Sequence, residues 1–126
     1  MLTQYYNHSR SKALKKIDAP KEGSWVVVSA PTDAELKKLS KNYNLDLELL
    51  QDGLDMNEVP RVEREGKATY IYLRYSSAAD QSGTTVPILF IHTEDALITL
   101  SAVPFVGIDL FITQKITFFT TQRTKL

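Results

Sequence analysis

A cluster of acidic side chains is the part of this sequence whose residue types and spacing could do chemistry. It contains Glu48, Asp52, Asp55 and Glu58, with Gln51 among them. The cluster forms the acidic end of a predicted helix, in which Glu48, Asp52 and Asp55 are spaced i, i+4 and i+7 and so line one face. The last turn of a helix carries the negative end of its dipole, which disfavours each carboxylate there by roughly 0.3–1 kcal/mol.

Two interpretations of this cluster remain open at the level of the residues. The carboxylates could hold a cation, or they could form a solvated surface, which is the commoner role of a charge run and ranks ahead here. The sequence has no cysteine, and its two histidines, His8 and His92, lie in different segments. A metal at this cluster would therefore have oxygen ligands only, which favours a hard cation such as Mg²⁺.

No catalytic group of residues is recognisable. Neither histidine has a paired acid at ligand spacing, no serine lies in a nucleophile elbow, and the five glycines form no phosphate loop. Tyr70, Tyr72 and Tyr75 with Arg74 resemble a stacking platform for nucleic acid, but strand tyrosines more often fill or flank a core. The 15 basic and 15 acidic residues also balance. We predict neither an enzyme nor a nucleic-acid partner.

Length and composition predict one soluble domain over residues 1–126. A chain of 126 residues is large enough for one hydrophobic core. No apolar run approaches the roughly 18 residues that a membrane span needs, and the start MLTQYYNHSR has no signal-peptide core. Nine acidic and five basic residues lie between Asp33 and Glu65, whereas both ends of the chain are basic.

Hydrophobic periodicity predicts a strand and two helices that would position the acidic cluster. Trp25–Ser29 is a short β-branched run, typical of a buried strand. A helix over Thr32–Tyr43 begins with a capping box, in which its first residue and Glu35 satisfy each other's backbone amides. Asn44 suits the left-handed residue that closes a helix. A second helix follows over Asp46–Leu54, with its first residue as the cap.

Five leucines of these helices recur at helical spacing, and we expect them to pack on a sheet. They are Leu36, Leu39, Leu47, Leu50 and Leu54. Two strand pairs are predicted to form most of that sheet, Arg61–Glu65 with Ala68–Ser76, and Thr84–His92 with Ala96–Ser101. The expected fold class is therefore α/β, a mixed β-sheet flanked by helices.

The two ends of the chain are less defined. Met1–Tyr6 is predicted as an edge strand, and Ser9–Ser24 as either a loop or a short helix. The last 25 residues leave helix and strand open, because ITFFTT favours a strand by propensity. The residues that would share a helical face there are Ile108, Phe111, Ile112, Ile116 and Phe119.

Several motifs follow one another from Trp25 to the end of the chain. They read WVVVSAPTDAEL at Trp25–Leu36, LLQDGLDMNEVPRVE at Leu49–Glu63, YIYLR at Tyr70–Arg74 and PILFIHTEDALITLS at Pro87–Ser101. In this order they resemble the cytoplasmic N-terminal domain of the CorA-like magnesium transporters. The corresponding family patterns are a tryptophan strand before P-T-x-x-E-L, then L-E-D-x-L, R-P-K-V-E, Y-I-Y-L-R and T-E-D-x-L-I-T. The tail TTQRTKL is similar to the approach to the family's stalk helix.

This resemblance implies a homo-pentameric divalent-cation channel with the present domain in the cytoplasm, followed by a stalk helix and two membrane helices. It implies that Mg²⁺ binds between subunits and favours the closed channel, with a ligand from the aspartate of L-E-D-x-L, which is Asp52 here. Asp55 and Glu48 would lie close to it by their helix spacing. The chain would then be an excised soluble domain from the cytoplasmic side of the membrane. Without stalk and membrane helices, we expect a monomer or a weak oligomer.

Two residues depart from the family patterns. Gln51 replaces the glutamate before the aspartate, so a site there loses one charged ligand, although the amide oxygen can still coordinate. Val59 replaces the arginine before the proline. Some members of the family carry Co²⁺, Ni²⁺ or Zn²⁺, and nothing in this chain selects among these cations.

The rival hypothesis is a stand-alone α/β module for interaction or small-ligand binding that owes its motifs to the fold. The reading frame beyond Leu126 discriminates between the two. A long helix and two apolar runs would favour the transporter, and a stop codon would favour the module. A small hydrolase would need a nucleophile and a base, and the sequence offers neither.

Overall fold

A mixed sheet of seven strands organises the part of the chain that the structure describes, in the order β2-β1-β3-β7-β6-β5-β4. The structure is a computed structural model that describes residues 1–7, 14–76 and 83–113. The strands are β1 (Leu2–Tyr6), β2 (Lys15–Ile17), β3 (Ser24–Ser29), β4 (Arg61–Glu65), β5 (Ala68–Ser76), β6 (Thr85–His92) and β7 (Ala96–Ser101). The helices are α1 (Asp33–Tyr43), α2 (Leu47–Asp52) and α3 (Val106–Ile112).

The sheet is mixed because β3 and β7 are its one parallel pair among the described strands. Trp25 lies opposite Leu97 in that pair, and Val28 opposite Leu100. Every other neighbouring pair is antiparallel. The predicted α/β class, a mixed sheet flanked by helices, is confirmed.

Helices α1 and α2 cover one face of the sheet and enclose the core. Leu39 and Leu50 are fully buried, and Leu36 nearly so, while Leu47 and Leu54 pack against the same cluster from its margin. All five leucines therefore face the sheet, as their spacing predicts. The residues that the sheet contributes to this core alternate along β3, β5, β6 and β7, which is the period-two pattern of a sheet with distinct faces.

The boundaries of α1 agree with its sequence signals. The Thr32 hydroxyl accepts a hydrogen bond from the Glu35 amide at 3.2 Å, and the Glu35 carboxylate accepts one from the Thr32 amide at 2.9 Å. This reciprocal pair lowers the pKa of Glu35, chiefly through the backbone hydrogen bond of Thr32. At the other end Asn44 is left-handed, with φ 51°.

Helix α3 lies on the opposite face of the sheet. Trp25 neighbours the buried Val26 in β3, so its ring projects to the other side, where the ring of Phe111 meets it edge-on at 5.7 Å. Ile108 is buried beside them in the helix. Residues 106–112 thus resolve as helix, while Ile116, Phe119 and the ITFFTT segment lie outside the described residues.

Two predictions at the start of the chain are corrected. β1 lies inside the sheet, because it pairs with both β2 and β3, so its placement as an edge strand was wrong. The edge is β2, within the segment predicted as loop or short helix. Its three residues are too few to show strand periodicity, which explains the error. His8 and residues 9–13 lie outside the described part.

Replacing Leu50 by alanine should lower the free energy of unfolding by about 2–5 kcal/mol, because the side chain is fully buried in the core. Denaturant melts would measure this. Leu110→Ala is the matched control, since Leu110 lies on α3 with 40% of its surface exposed, and it should cost below about 0.5 kcal/mol. Equal losses in the two variants would mean that α2 does not pack through Leu50.

Candidate cation site at the end of helix α2

Two tyrosines of β5 hold α2 against the sheet. The Tyr70 hydroxyl accepts a hydrogen bond from the amide of Asp46 at 3.0 Å, and the Tyr72 hydroxyl donates one to the carbonyl of Leu49 at 2.8 Å. Burial raises the pKa of both hydroxyls, so both stay protonated at neutral pH. Asp46 also caps the helix, accepting from the amides of Glu48 and Leu49. The helix is therefore fixed at its first turn and at its middle.

A close approach of backbone to sheet fixes the end of the helix. Gly53, the C-cap residue, lies so near β6 that a Cβ atom there would be 2.6 Å from the Leu89 Cδ2 atom. Any larger residue would collide with the fully buried Leu89. Glycine at this position therefore lets the last turn, which carries Asp52, lie directly on the sheet.

Arg61, at the start of β4, gathers three carboxylates. Its Nη2 atom is 2.9 Å from Asp52 Oδ2 and its Nε atom is 2.8 Å from Glu63 Oε1. Its Nη1 atom pairs with Glu58. The guanidinium lies 3.9 Å from the centroid of the Tyr72 ring, and β4 and β5 place Arg61 directly opposite Tyr72. One guanidinium thus pairs with three carboxylates, so this group of four side chains keeps a net negative charge.

The loop between Asp52 and Arg61 is fastened by a second arginine. Arg74 donates to the carbonyls of Met56 and Glu58 at 3.0 and 2.9 Å, and also to Thr85 on β6. The loop is therefore tied to β5 and β6. It carries exposed apolar side chains, with Met56 46% and Val59 62% exposed.

The structure brings together only part of the predicted cluster. Glu48 and Asp52 lie one turn apart on α2, but the helix ends at Asp52 instead of Leu54, so the placement of Asp55 on the same helix face was wrong. Asp55 lies in the following turn, where its side chain accepts a hydrogen bond from the Asn57 amide at 2.9 Å. Over residues 1–7, 14–76 and 83–113, no three acidic or histidine side chains are grouped so as to hold a metal ion.

Arg61 is the residue of this site that the sequence reasoning missed. The sequence pattern predicts only that Arg61 begins a strand. The alternation of side chains along a strand could have predicted its role, because it places Arg61 and Glu63 on the same face of β4. The hairpin between β4 and β5 then places Tyr72 beside Arg61 on that face. The penalty expected for a carboxylate at the end of α2 is therefore offset by this arginine.

In a comparison with protein-family models, residues 20–124 match the family described as CorA-like Mg²⁺ transporter protein. A comparison with curated proteins gives no match. Within its described residues, the chain has no helix long and apolar enough to cross a membrane.

Solved structures share the fold. The complete CorA magnesium transporter from Methanocaldococcus jannaschii aligns with 26% identity and a TM-score of 0.70, covering 91% of this chain and 38% of that one. The soluble domain of CorA from the same organism aligns with 23% identity and a TM-score of 0.73, covering 96% and 48%. The ZntB cytoplasmic domain from Vibrio parahaemolyticus RIMD 2210633 aligns with 9% identity and a TM-score of 0.69, covering 98% and 52%. The chain thus spans about half or less of each of these proteins.

Replacing Arg61 by glutamine should lower the free energy of unfolding by about 1–2 kcal/mol, because three carboxylates lose their cation at a partly exposed position. Arg64→Gln is the matched control, since Arg64 lies on the same strand and forms no ion pair with any described residue. It should change stability by less than about 0.5 kcal/mol. Equal effects in urea melts would contradict a structural role for the Arg61 group.

Proposed function

We propose a function from one established fact: the chain belongs to the family of CorA-like Mg²⁺ transporter proteins. In this proposal, the chain is the cytoplasmic domain through which a full-length transporter senses intracellular Mg²⁺. The family match over residues 20–124 is the observation that carries this proposal. The family is one of transporters and not of enzymes. Because the chain spans 38% of the complete CorA transporter, the transport activity, the pentameric assembly and the cation belong to the proposal.

Asp52 is the proposed Mg²⁺ ligand of this chain. Its side chain is 47% exposed, so a partner could reach it, yet the close packing of Gly53 fixes its position. One carboxylate oxygen pairs with Arg61. The other oxygen has no ion pair or hydrogen bond with any residue that the structure describes. A fixed and exposed carboxylate at the negative end of a helix is a suitable ligand for a cation.

A second subunit is needed to complete the proposed site. Mg²⁺ gives up its waters reluctantly and is usually held by one or two carboxylates. Glu48 and Asp55 remain candidate ligands, but among the described residues of one subunit no three acidic side chains are grouped so as to hold a metal ion. A facing carboxylate from a neighbouring subunit of a pentamer would join Asp52. The exposed Met56 and Val59, in the loop between Asp52 and Arg61, suit such a subunit contact.

Arg61 gives the site its proposed response to Mg²⁺ concentration. Without the cation, the guanidinium neutralises part of the acidic group. When Mg²⁺ is abundant, it competes for Asp52 and links the two subunits, which favours the closed channel. Gln51 offers only an amide oxygen beside this site, so we expect weak binding by few charged ligands.

In the full-length protein, Asp52→Asn should weaken closure by intracellular Mg²⁺, because the amide keeps the size of the side chain and removes its charge. Permeation in the absence of intracellular Mg²⁺ should be unchanged. Current measured against Mg²⁺ concentration would test this, with Asp33→Asn as the control, since Asp33 is an exposed acid in the first turn of α1.

The Asp33→Asn channel should close at the parent's Mg²⁺ concentration. If Asp52→Asn also closes there, Asp52 is a solvated surface acid and the proposed regulation is wrong. A loss of permeation in Asp52→Asn without Mg²⁺ would instead make Asp52 a structural residue of the channel.

A further inference from the structure

The outer edge of β4 is a backbone surface that no other described strand covers. β4 is the last strand of the sheet and pairs with β5 alone among the described strands. The two strands are joined by the two-residue turn Gly66–Lys67, with Glu65 opposite Ala68. The residues that flank such a turn bond to each other, and bonding then alternates along the strand. The N–H and C=O groups of Val62 and Arg64 therefore point away from β5, to the outside of the sheet.

An apolar side chain lies at this edge. Val62 is 63% exposed and lies opposite Ile71 of β5, which in turn lies opposite Phe90 of β6. Opposite residues of neighbouring strands share one face of the sheet, so these three side chains form one apolar row, on the face that carries α3. The row ends at the exposed Val62, and a strand added to the edge of β4 would extend it.

The charges of β4 favour one way of pairing two copies of this edge. In an antiparallel pair with a two-fold axis perpendicular to the sheet, the residue on the axis faces itself, and both faces of the sheet continue across the pair. β4 reads RVERE, so Val62 is its one uncharged residue. An axis at any other residue of β4 would set two like charges opposite each other. An axis at Val62 instead sets Arg61 of each copy opposite Glu63 of the other, which is a favourable cross-strand pair.

The helices that contact the sheet leave this edge clear. α2 contacts β5 through Tyr72 and β6 through the close approach to Leu89, and α3 contacts β3 through Trp25. The Glu63 side chain is 41% exposed, and its Oε1 atom pairs with Arg61 of the same chain. Its Oε2 atom has no ion pair or hydrogen bond with any residue that the structure describes, so it is available to a guanidinium of a second copy.

We propose that β4 pairs antiparallel with β4 of a second copy of this chain, with Val62 on the two-fold axis. The backbone of Val62 exchanges its two hydrogen bonds with Val62 of the second copy, and the two seven-stranded sheets become one continuous sheet. A two-fold contact uses the same patch on both copies and cannot close a ring of five. It therefore joins two isolated chains or two assemblies, and it is distinct from the subunit contact proposed for Asp52.

The expected dimer is weak. A strand of five residues covers a small area, at the low end of specific interfaces, so we expect a dissociation constant of about 0.1–1 mM. The net negative charge around Arg61 in each copy also opposes association. Sedimentation equilibrium of the chain in buffer without divalent cations, at concentrations up to about 1 mM, should show a reversible monomer–dimer equilibrium and no larger species.

Thiol cross-linking tests the register. The sequence has no cysteine, so an introduced cysteine is the one thiol of the chain. In the proposed pair, the Cα atoms of residue 62 in the two copies are about 5.5 Å apart, whereas those of residue 64 are about 13 Å apart along the strands. With a short bifunctional thiol reagent, Val62→Cys should form covalent dimers at least several-fold faster than Arg64→Cys. Arg64 is the matched control, since it is exposed and lies on the same face of β4.

Two charge variants test the cross-strand ion pairs. Glu63→Arg sets like charges opposite each other twice and should weaken dimerisation by about tenfold. Glu65→Arg makes the same change in net charge, but in the proposed register residue 65 lies opposite the uncharged Val59, so it should not weaken dimerisation. Glu63→Arg also removes an ion pair within the chain. If that variant does not fold, the cysteine pair, at two exposed positions, decides.

Any of three results would overturn the proposal. The first is a chain that stays monomeric at about 1 mM, the upper end of the expected range. The second is cross-linking of Val62→Cys and Arg64→Cys at equal rates, which would indicate random collision. The third is equal weakening of dimerisation in Glu63→Arg and Glu65→Arg. A failure here leaves the proposed role of Asp52 untouched, since these measurements contain no Mg²⁺.

Discussion

The contact between Gly53 and Leu89 is the constraint on which the position of helix α2 and of the candidate cation site depends. With no Cβ atom at residue 53, the backbone of α2 comes close enough to the sheet for the Tyr72 hydroxyl to reach the Leu49 carbonyl. The same approach sets Asp52 within 2.9 Å of Arg61 on the edge strand. A helix of six residues has little stability of its own, so its position is set by this packing. The geometry of the carboxylates around Arg61 is therefore set by the packing of Gly53 against the buried Leu89.

Electrostatics then sets the charge at this position. Asp52, Glu58 and Glu63 share one guanidinium, which is stacked on the Tyr72 ring and so cannot move toward any one of them without losing that contact. The remaining negative charge can be neutralised by counterions from solvent or by a cation with a definite site. In the proposed assembly, Mg²⁺ between subunits is that cation. In that proposal, the fixed charge of Arg61 would limit how tightly Mg²⁺ binds.

Local signals predicted most of the fold, because each is carried by neighbouring residues. The capping box at Thr32, the left-handed Asn44 and the apolar faces of α1 and α2 all read directly from spacing. The features that could not be predicted from the sequence depend on contacts between residues that are distant along the chain. The short β2 exists through its pairing with β1, and the end of α2 at Asp52 is set by the sheet beneath Gly53. The pairing of Arg61 with Asp52 likewise appears only when strands and helices meet.

The most direct test of the account is a Mg²⁺ titration of this chain followed by the amide shifts of residues 51–55, comparing the parent with Arg61→Gln. If the Arg61 guanidinium neutralises part of the charge of the Asp52, Glu58 and Glu63 carboxylates, the amide shifts of the parent should respond only weakly to Mg²⁺, in about the millimolar range. The variant should respond at several-fold lower Mg²⁺ concentration, because its three carboxylates have lost their guanidinium. Identical responses in the two proteins, or no response in either, would contradict the claim that this group is a cation site limited by Arg61.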